Sequence, residues 1–168
     1  MTSLAEQSVY QIKLNCCVDK STSIFYKLTT WYKEQLSREN SKKDSGFDLF
    51  VPDSEIKFEP GEIKFINMGV KCAVYKNGQP SPYYLYPRSS VSKKGIILAN
   101  SVGIIDCGYR GPLIAAFYNT TNNIVTIQRK ERLVQICMPN LSYDFNVELV
   151  DSLDETERGE GGFGSTGK

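Results

Sequence analysis

Four short segments hold most of the residues whose types and spacing could do chemistry. Asp44-Ser45-Gly46-Phe47-Asp48-Leu49 leads from a polar stretch into an apolar run, and Pro87-Arg88-Ser89-Ser90 follows an aromatic one. Asn100 to Gly111 carries Asp106, Tyr109 and Arg110 among glycines, and Arg158 to Gly167 sets Arg158, Phe163, Ser165 and Thr166 among more of them. The chain has no histidine. That excludes Ser-His-Asp and Cys-His nucleophile pairs and histidine-bearing zinc sites. A general base must then be a carboxylate, a lysine, a tyrosine or a thiolate, so the acidic residues of these segments are the first candidates. The five cysteines (Cys16, Cys17, Cys72, Cys107 and Cys137) are odd in number and lack C-x-x-C spacing. They predict neither a disulfide framework nor a thiolate zinc cage, and fit a reducing compartment.

Gly162 to Lys168 spells G-x-x-x-x-G-K, the front of a P-loop. A P-loop continues into Ser or Thr and a helix whose N-terminus faces the phosphates. Nothing of that kind follows Lys168, and an NTPase is not expected. The tail still suits an anionic ligand. Glycines let backbone N–H groups approach phosphate oxygens, Ser165 and Thr166 add donors, and Arg158 adds a two-pronged fork. Phe163 among those glycines is placed to stack on a base.

In this order the segments resemble the motifs of the trimeric deoxyuridine triphosphate nucleotidohydrolases, the dUTPases. All five family motifs have a counterpart, the fourth being Glu131-Arg132-Leu133-Val134-Gln135-Ile136. The resemblance implies an all-β, jelly-roll-like distorted barrel assembled as a homotrimer with active sites shared between subunits. It implies Mg²⁺-dependent hydrolysis of dUTP to dUMP and pyrophosphate, which limits uracil incorporation into DNA and supplies dUMP for dTTP synthesis. By position Asp106 becomes the base that activates water for attack on the α-phosphate. A carboxylate is a weak base, so placement of that water must do much of the work. Asn100, Gly103, Ile105, Tyr109 and Phe163 become the nucleoside site. Arg88, Ser89, Ser90, Gln135, Arg158, Gly164, Ser165 and Thr166 become the phosphate site. Mg²⁺ is expected on the triphosphate, with no direct protein ligand and Asp48 acting from its outer shell.

The chain also departs from the family pattern. Gly108 and Pro112 stand where acidic residues are common, Ser90 and Lys130 where glycine is usual, and Phe47 where tyrosine or leucine is. Plainer readings exist for single residues: an Asp48–Arg88 ion pair of purely structural use, Asp106 capping a turn, or Asn100 as a turn residue. Two other functions remain open at this level. One is a deoxycytidine triphosphate deaminase, which shares the fold and an Arg-Ser-Ser segment; the other is a non-catalytic protein recruiting partners through its helix.

The elements that must position these residues are mostly short strands. The chain has 168 residues, 40% of them hydrophobic, with 20 basic and 19 acidic side chains. That length suits one domain able to bury a core without staples. Near-neutral charge argues against a nucleic-acid glove. Apolar-rich or alternating runs predict strands at Val9–Val18, Phe47–Val51, Glu55–Glu59, Ile63–Asn67, Val70–Lys76, Tyr83–Tyr86, Gly95–Ala99, Leu113–Asn119, Ile124–Gln128, Leu133–Met138 and Val147–Val150. Asn77-Gly78 reads as a hairpin turn, and Asn100–Gly111 as a hairpin with a polar tip. One helix is predicted over 22–39, capped by Ser21 or Thr22, with Ile24, Leu28, Trp31 and Gln35 at helical spacing. Its aromatic stripe packs on the domain or meets a partner, and the added helix is expected on the trimer's exterior. Residues 1–150 are read as one domain and 151–168, glycine-rich, as a flexible arm that completes an active site. With no signal peptide or membrane span in view, a cytoplasmic or nuclear location is expected.

Overall fold

Alternating residues become strands here because one side of each run can enter a common core while the other stays wet. In β1 (Tyr10–Cys16) the side chains of Tyr10, Ile12, Leu14 and Cys16 are buried and those between them are not. The computed structural model describes residues 9–39 and 44–161. After β1 come α1 (Ser23–Glu39), β2 (Gly46–Phe50), β3 (Glu55–Phe58), β4 (Ile63–Lys76), β5 (Gln79–Ser81) and β6 (Tyr83–Pro87). A 3₁₀ segment (Ser89–Lys94) leads to β7 (Ile96–Leu98), β8 (Gly103–Ile105), β9 (Pro112–Asn119), β10 (Val125–Gln128), β11 (Arg132–Cys137) and β12 (Phe145–Leu149).

The strands form one sheet in the order β12-β1-β4-β9-β7 with β5 on β4, a second in the order β2-β11-β6-β8, and a β10-β3 pair. Their inner faces share one apolar cluster that includes Ile12, Leu14, Phe47, Leu49, Phe117 and Leu133. This is the all-β, jelly-roll-like architecture expected, with the extra helix present.

Three local readings change. The two runs at 63–67 and 70–76 are a single strand, β4, whose pairing slips between Asn67 and Lys71. Gly69, at φ 70, takes up that irregularity, and the Asn67 side chain accepts its N–H at 2.8 Å. The Asn100–Gly111 stretch is not a hairpin. β8 pairs with β6 in one sheet, whereas β9 pairs with β4 and β7 in the other. The chain therefore crosses between sheets at residues 106–111, which places Asp106 and Tyr109 at that crossing. The Thr22 hydroxyl, finally, donates back to the Asp19 carbonyl at 2.6 Å rather than capping the helix.

Helix α1 contributes to the core. Leu28 and Tyr32 are fully buried, and Phe25, Trp31 and Leu36 pack partly buried against the same cluster. Tyr32 stacks on Phe47 with ring centres 6.0 Å apart, and its hydroxyl accepts the Phe50 N–H at 3.2 Å. The Asn77-Gly78 turn is as read: both residues have positive φ and they join β4 to β5.

Candidate active site

The crossing between sheets opens a cavity of about 240 Å³ whose lining includes Asn100, Gly103, Ile105, Asp106, Tyr109 and Arg158. Asn100 lies in the turn between β7 and β8, where Ser101 has φ 64 and the Val102 N–H donates to the Asn100 carbonyl at 2.7 Å. Gly103 starts β8, and a Cβ there would stand 3.0 Å from the Leu85 Cβ on the paired strand. Leu85, Leu98 and Leu113 give the cavity its apolar side. A flat apolar ring with one polar edge fits such a lining, with Asn100 and the β8 backbone available to that edge.

Beyond β8 the loop is tightly held. The Tyr109 N–H donates to the Asp106 carbonyl at 3.0 Å, and the Tyr109 hydroxyl donates to the Pro112 carbonyl at 2.9 Å. Burial pushes the Tyr109 hydroxyl's pKa upward, so it stays a donor. A Cβ on Gly111 would fall 2.4 Å from the Tyr109 hydroxyl oxygen, so only glycine leaves room for this ring. Arg110 is buried, and its guanidinium donates to the carbonyls of Cys107 and Tyr109, each at 2.9 Å. The same group holds both Asp154 oxygens at 3.2 and 3.3 Å.

That last contact ties the arm to the loop. Tyr75 donates to Asp154 at 2.5 Å, Thr156 donates to the Gly108 carbonyl, and the Arg110 N–H donates to the Gly159 carbonyl at 2.8 Å. The Tyr75 hydroxyl and then Arg110 hold the Asp154 carboxyl below the usual aspartate range. Arg158 is delivered to Asp106, with Nη1 2.6 Å from Oδ2. Thus Arg158, expected among phosphate groups, meets the expected base instead. Phe163, Gly164, Ser165 and Thr166 lie outside the described residues.

The other expected residues gather in a separate, more polar cleft of about 730 Å³ lined by Asp48, Arg88, Ser89, Arg132 and Gln135. Strand register makes this row. Gln135 of β11 lies opposite Asp48 of β2 on one side and Tyr86 of β6 on the other. Arg88 directly follows β6, and its Nε is 2.8 Å from Asp48 Oδ1. The Gln135 amide donates to the Pro87 carbonyl at 3.4 Å. Burial pushes the Asp48 carboxyl up from its ordinary range, and the neighbouring guanidiniums pull against that shift. Ser90, exposed in the 3₁₀ segment, is not among the residues lining either cavity.

Sequence reasoning missed Arg132 as a member of the cleft. Its Nη1 lies 3.1 Å from the second Asp48 oxygen. The reason is a register shift between Arg132 and Val134, which sets Arg132 opposite Phe50 and Val134 opposite Leu49. A bulge of this kind re-aims a side chain, and simple alternation cannot reveal it. Arg110 was also missed as the anchor of the arm; its Tyr-Arg-Gly setting gave only its charge.

A family model described as dUTPase matches residues 33–167. The chain is 40% identical over 127 residues to the deoxyuridine 5'-triphosphate nucleotidohydrolase of Tolumonas auensis, covering 74% of this chain and 82% of that one. It is 37% identical over 139 residues to the enzyme of that name from Paraburkholderia phymatum, covering 81% and 91%. The crystal structure of dUTPase from Streptococcus mutans superimposes with a TM-score of 0.51 at 34% identity, covering 60% of this chain and 80% of that one. With a dUTPase model matched over residues 33–167 and relatives 37–40% identical over most of the chain, the chain belongs to the dUTPase family.

Proposed function

We propose that the chain hydrolyses dUTP to dUMP and pyrophosphate, with Asp106 positioning and deprotonating the water that attacks the α-phosphorus. The observation that carries this reading is the convergence of Asn100, Gly103, Ile105, Asp106 and Tyr109 on one cavity at the crossing between sheets. The close fit between the leucines and the β8 backbone excludes a 5-methyl group, and the Tyr109 ring leaves no room for a 2′-hydroxyl. Arg88, Ser89 and Gln135 receive the phosphates, with Ser90 beside them. Arg158 leaves Asp106 for the γ-phosphate as Phe163, Gly164, Ser165 and Thr166 close over the nucleotide, excluding water and strengthening each charge interaction. Hydrolysis removes dUTP, which limits uracil incorporation into DNA, and supplies dUMP for dTTP synthesis.

The donor set fits a Mg²⁺ held chiefly by substrate. Each Asp48 oxygen already faces a guanidinium, which leaves this carboxylate suited to water-mediated contact rather than direct ligation. When bound, Mg²⁺ offsets the charge on the triphosphate oxygens. The base and the Asp48 cleft line different cavities of one chain. That separation supports sites completed between subunits of a homotrimer. So does a cross-strand apolar row of Ile63, Tyr118 and Ile97, in which both isoleucines are exposed.

A nucleotide panel with Mg²⁺ tests the reading. Pyrophosphate release from dUTP is expected to exceed that from dTTP, UTP and dCTP by at least about 100-fold, the discrimination expected of a site that pairs a polar edge and excludes added groups. Equal rates would overturn it, and ammonia released from dCTP would point to deamination instead.

A further inference from the structure

Helix α1 does more than fill the core: it grips the turn that leads into Arg132. That turn, residues 129–131, is stitched to the end of β2. The Lys130 N–H donates to the Val51 carbonyl at 2.9 Å, and the Val51 N–H donates to the Glu131 carbonyl at 2.8 Å. Lys130 has φ 71, a left-handed backbone that a residue with a long side chain adopts at a cost. Its side chain is correspondingly held. The ammonium lies over the Trp31 ring, 5.5 Å from its centre, and 3.8 Å from the Glu34 carboxylate one turn along the same helix face.

Trp31 in turn packs edge-on against Phe50 at 5.8 Å, and Phe50 is the residue opposite Arg132 in the β2–β11 register. The Gln35 amide of the same helix donates to the Asp48 carbonyl at 3.3 Å. One helix therefore touches the strand that carries Asp48 and the turn that launches Arg132, on both sides of the bulge that lets the two side chains meet. Glycine would take this conformation without steric strain, so the lysine side chain stands here at a steric cost.

We propose that Trp31 and Lys130 are positioning residues of the phosphate cleft: by clamping the 129–131 turn to α1 they set where Arg132 stands relative to Asp48 and Arg88. This rests on the reading of that cleft as the triphosphate site. Neither residue is among those lining the nucleoside cavity, so their influence falls on phosphate binding and leaves nucleoside recognition alone.

The test uses the full chain with Lys130→Gly, Trp31→Leu, the double variant, Trp31→Phe and, as a control, Arg132→Ala. Lys130→Gly relieves the left-handed strain, so its Tm should hold or rise, and any kinetic effect cannot be put down to unfolding. KM for dUTP should rise about three- to tenfold in Lys130→Gly and Trp31→Leu, with kcat within about twofold and the Kd for deoxyuridine unchanged. The double variant should be no worse than the more affected single, and Trp31→Phe, which keeps a ring under the ammonium, should recover most of the loss. Unchanged KM in Lys130→Gly and Trp31→Leu, beside a raised KM in Arg132→Ala, would overturn the inference alone. Unchanged KM in Arg132→Ala would overturn the triphosphate reading beneath it. A Trp31→Leu variant that only loses Tm, or strictly additive singles, would reduce the helix to packing.

Discussion

At the scale of single residues the site depends on close approaches that leave little tolerance. Tyr109 lies where it does because Gly111 has no side chain and because its hydroxyl has the Pro112 carbonyl to bond. Gly111→Ala should force a rigid ring aside, since the conflicting atoms are those of the ring and its hydroxyl rather than a flexible chain end. We expect kcat/KM for dUTP to fall about 10- to 100-fold, with thermal stability lowered by about 1–3 kcal/mol, read by steady-state kinetics and calorimetry. The cysteines show the contrast between composition and placement. Burial pushes the Cys72 thiol up to about 12 and the Cys137 thiol up to about 11, so these behave as small apolar residues.

At the scale of elements, two additions to the barrel take on definite tasks. Helix α1 contributes Leu28 and Tyr32 to the interior and accepts the Phe50 N–H, so removing residues 20–43 would unroof the core. Losing one buried leucine typically costs about 2–5 kcal/mol. In the described part of the arm, Arg110 and Tyr75 bond Asp154, and Thr156 donates to the Gly108 carbonyl. Asp154 supplies a pH dependence whose sign follows from its lowered pKa. Its contribution to docking is present above the ordinary aspartate pKa of about 4 and is lost as pH falls through the lower docked value. Hydrogen exchange at the Arg110 amide, which donates to the Gly159 carbonyl, should therefore speed up relative to the core amides below about pH 4. In Asp154→Asn it should be faster at neutral pH and lack that acid transition; identical profiles in the two proteins would remove Asp154 from the account.

At the scale of the whole molecule, Asp106 and the Asp48–Arg88–Arg132 cleft line different cavities of one chain. If sites are completed between subunits, two inactive proteins can repair each other. Asp106→Asn and Arg88→Ala should each lose about 10²-fold or more in kcat/KM when alone. Mixed after brief unfolding and joint refolding, they should regain a fraction of wild-type activity, because some interfaces then pair an intact base with an intact cleft. Activity that stays at the level of the separate variants would place both halves of each site on one chain. Size-exclusion chromatography with light scattering on the mixture checks that assembly occurred.

Much of this protein is determined locally and can be read from the residues alone. Period-two runs become strands, Asn77-Gly78 turns left-handed, and a histidine-free chain must draw its base from carboxylates, lysines, tyrosines or thiolates. The ordered motifs named the family and the polar residues Asn100, Asp106 and Tyr109 of one cavity and Asp48, Arg88 and Gln135 of the other, since chemistry depends on residue type and those types are written out. Pairing partners are long-range and are not written locally. That β8 and β9 part into different sheets, that a bulge turns Arg132 onto Asp48, and that α1 reaches the turn before β11 depend on contacts between segments far apart in sequence. The missing histidine narrowed a base to a carboxylate, lysine, tyrosine or thiolate, and the motifs pointed to Asp106; only the tertiary structure put that carboxylate in one cavity and the arginine cleft in another, because each is assembled from strands that meet only when the sheets close.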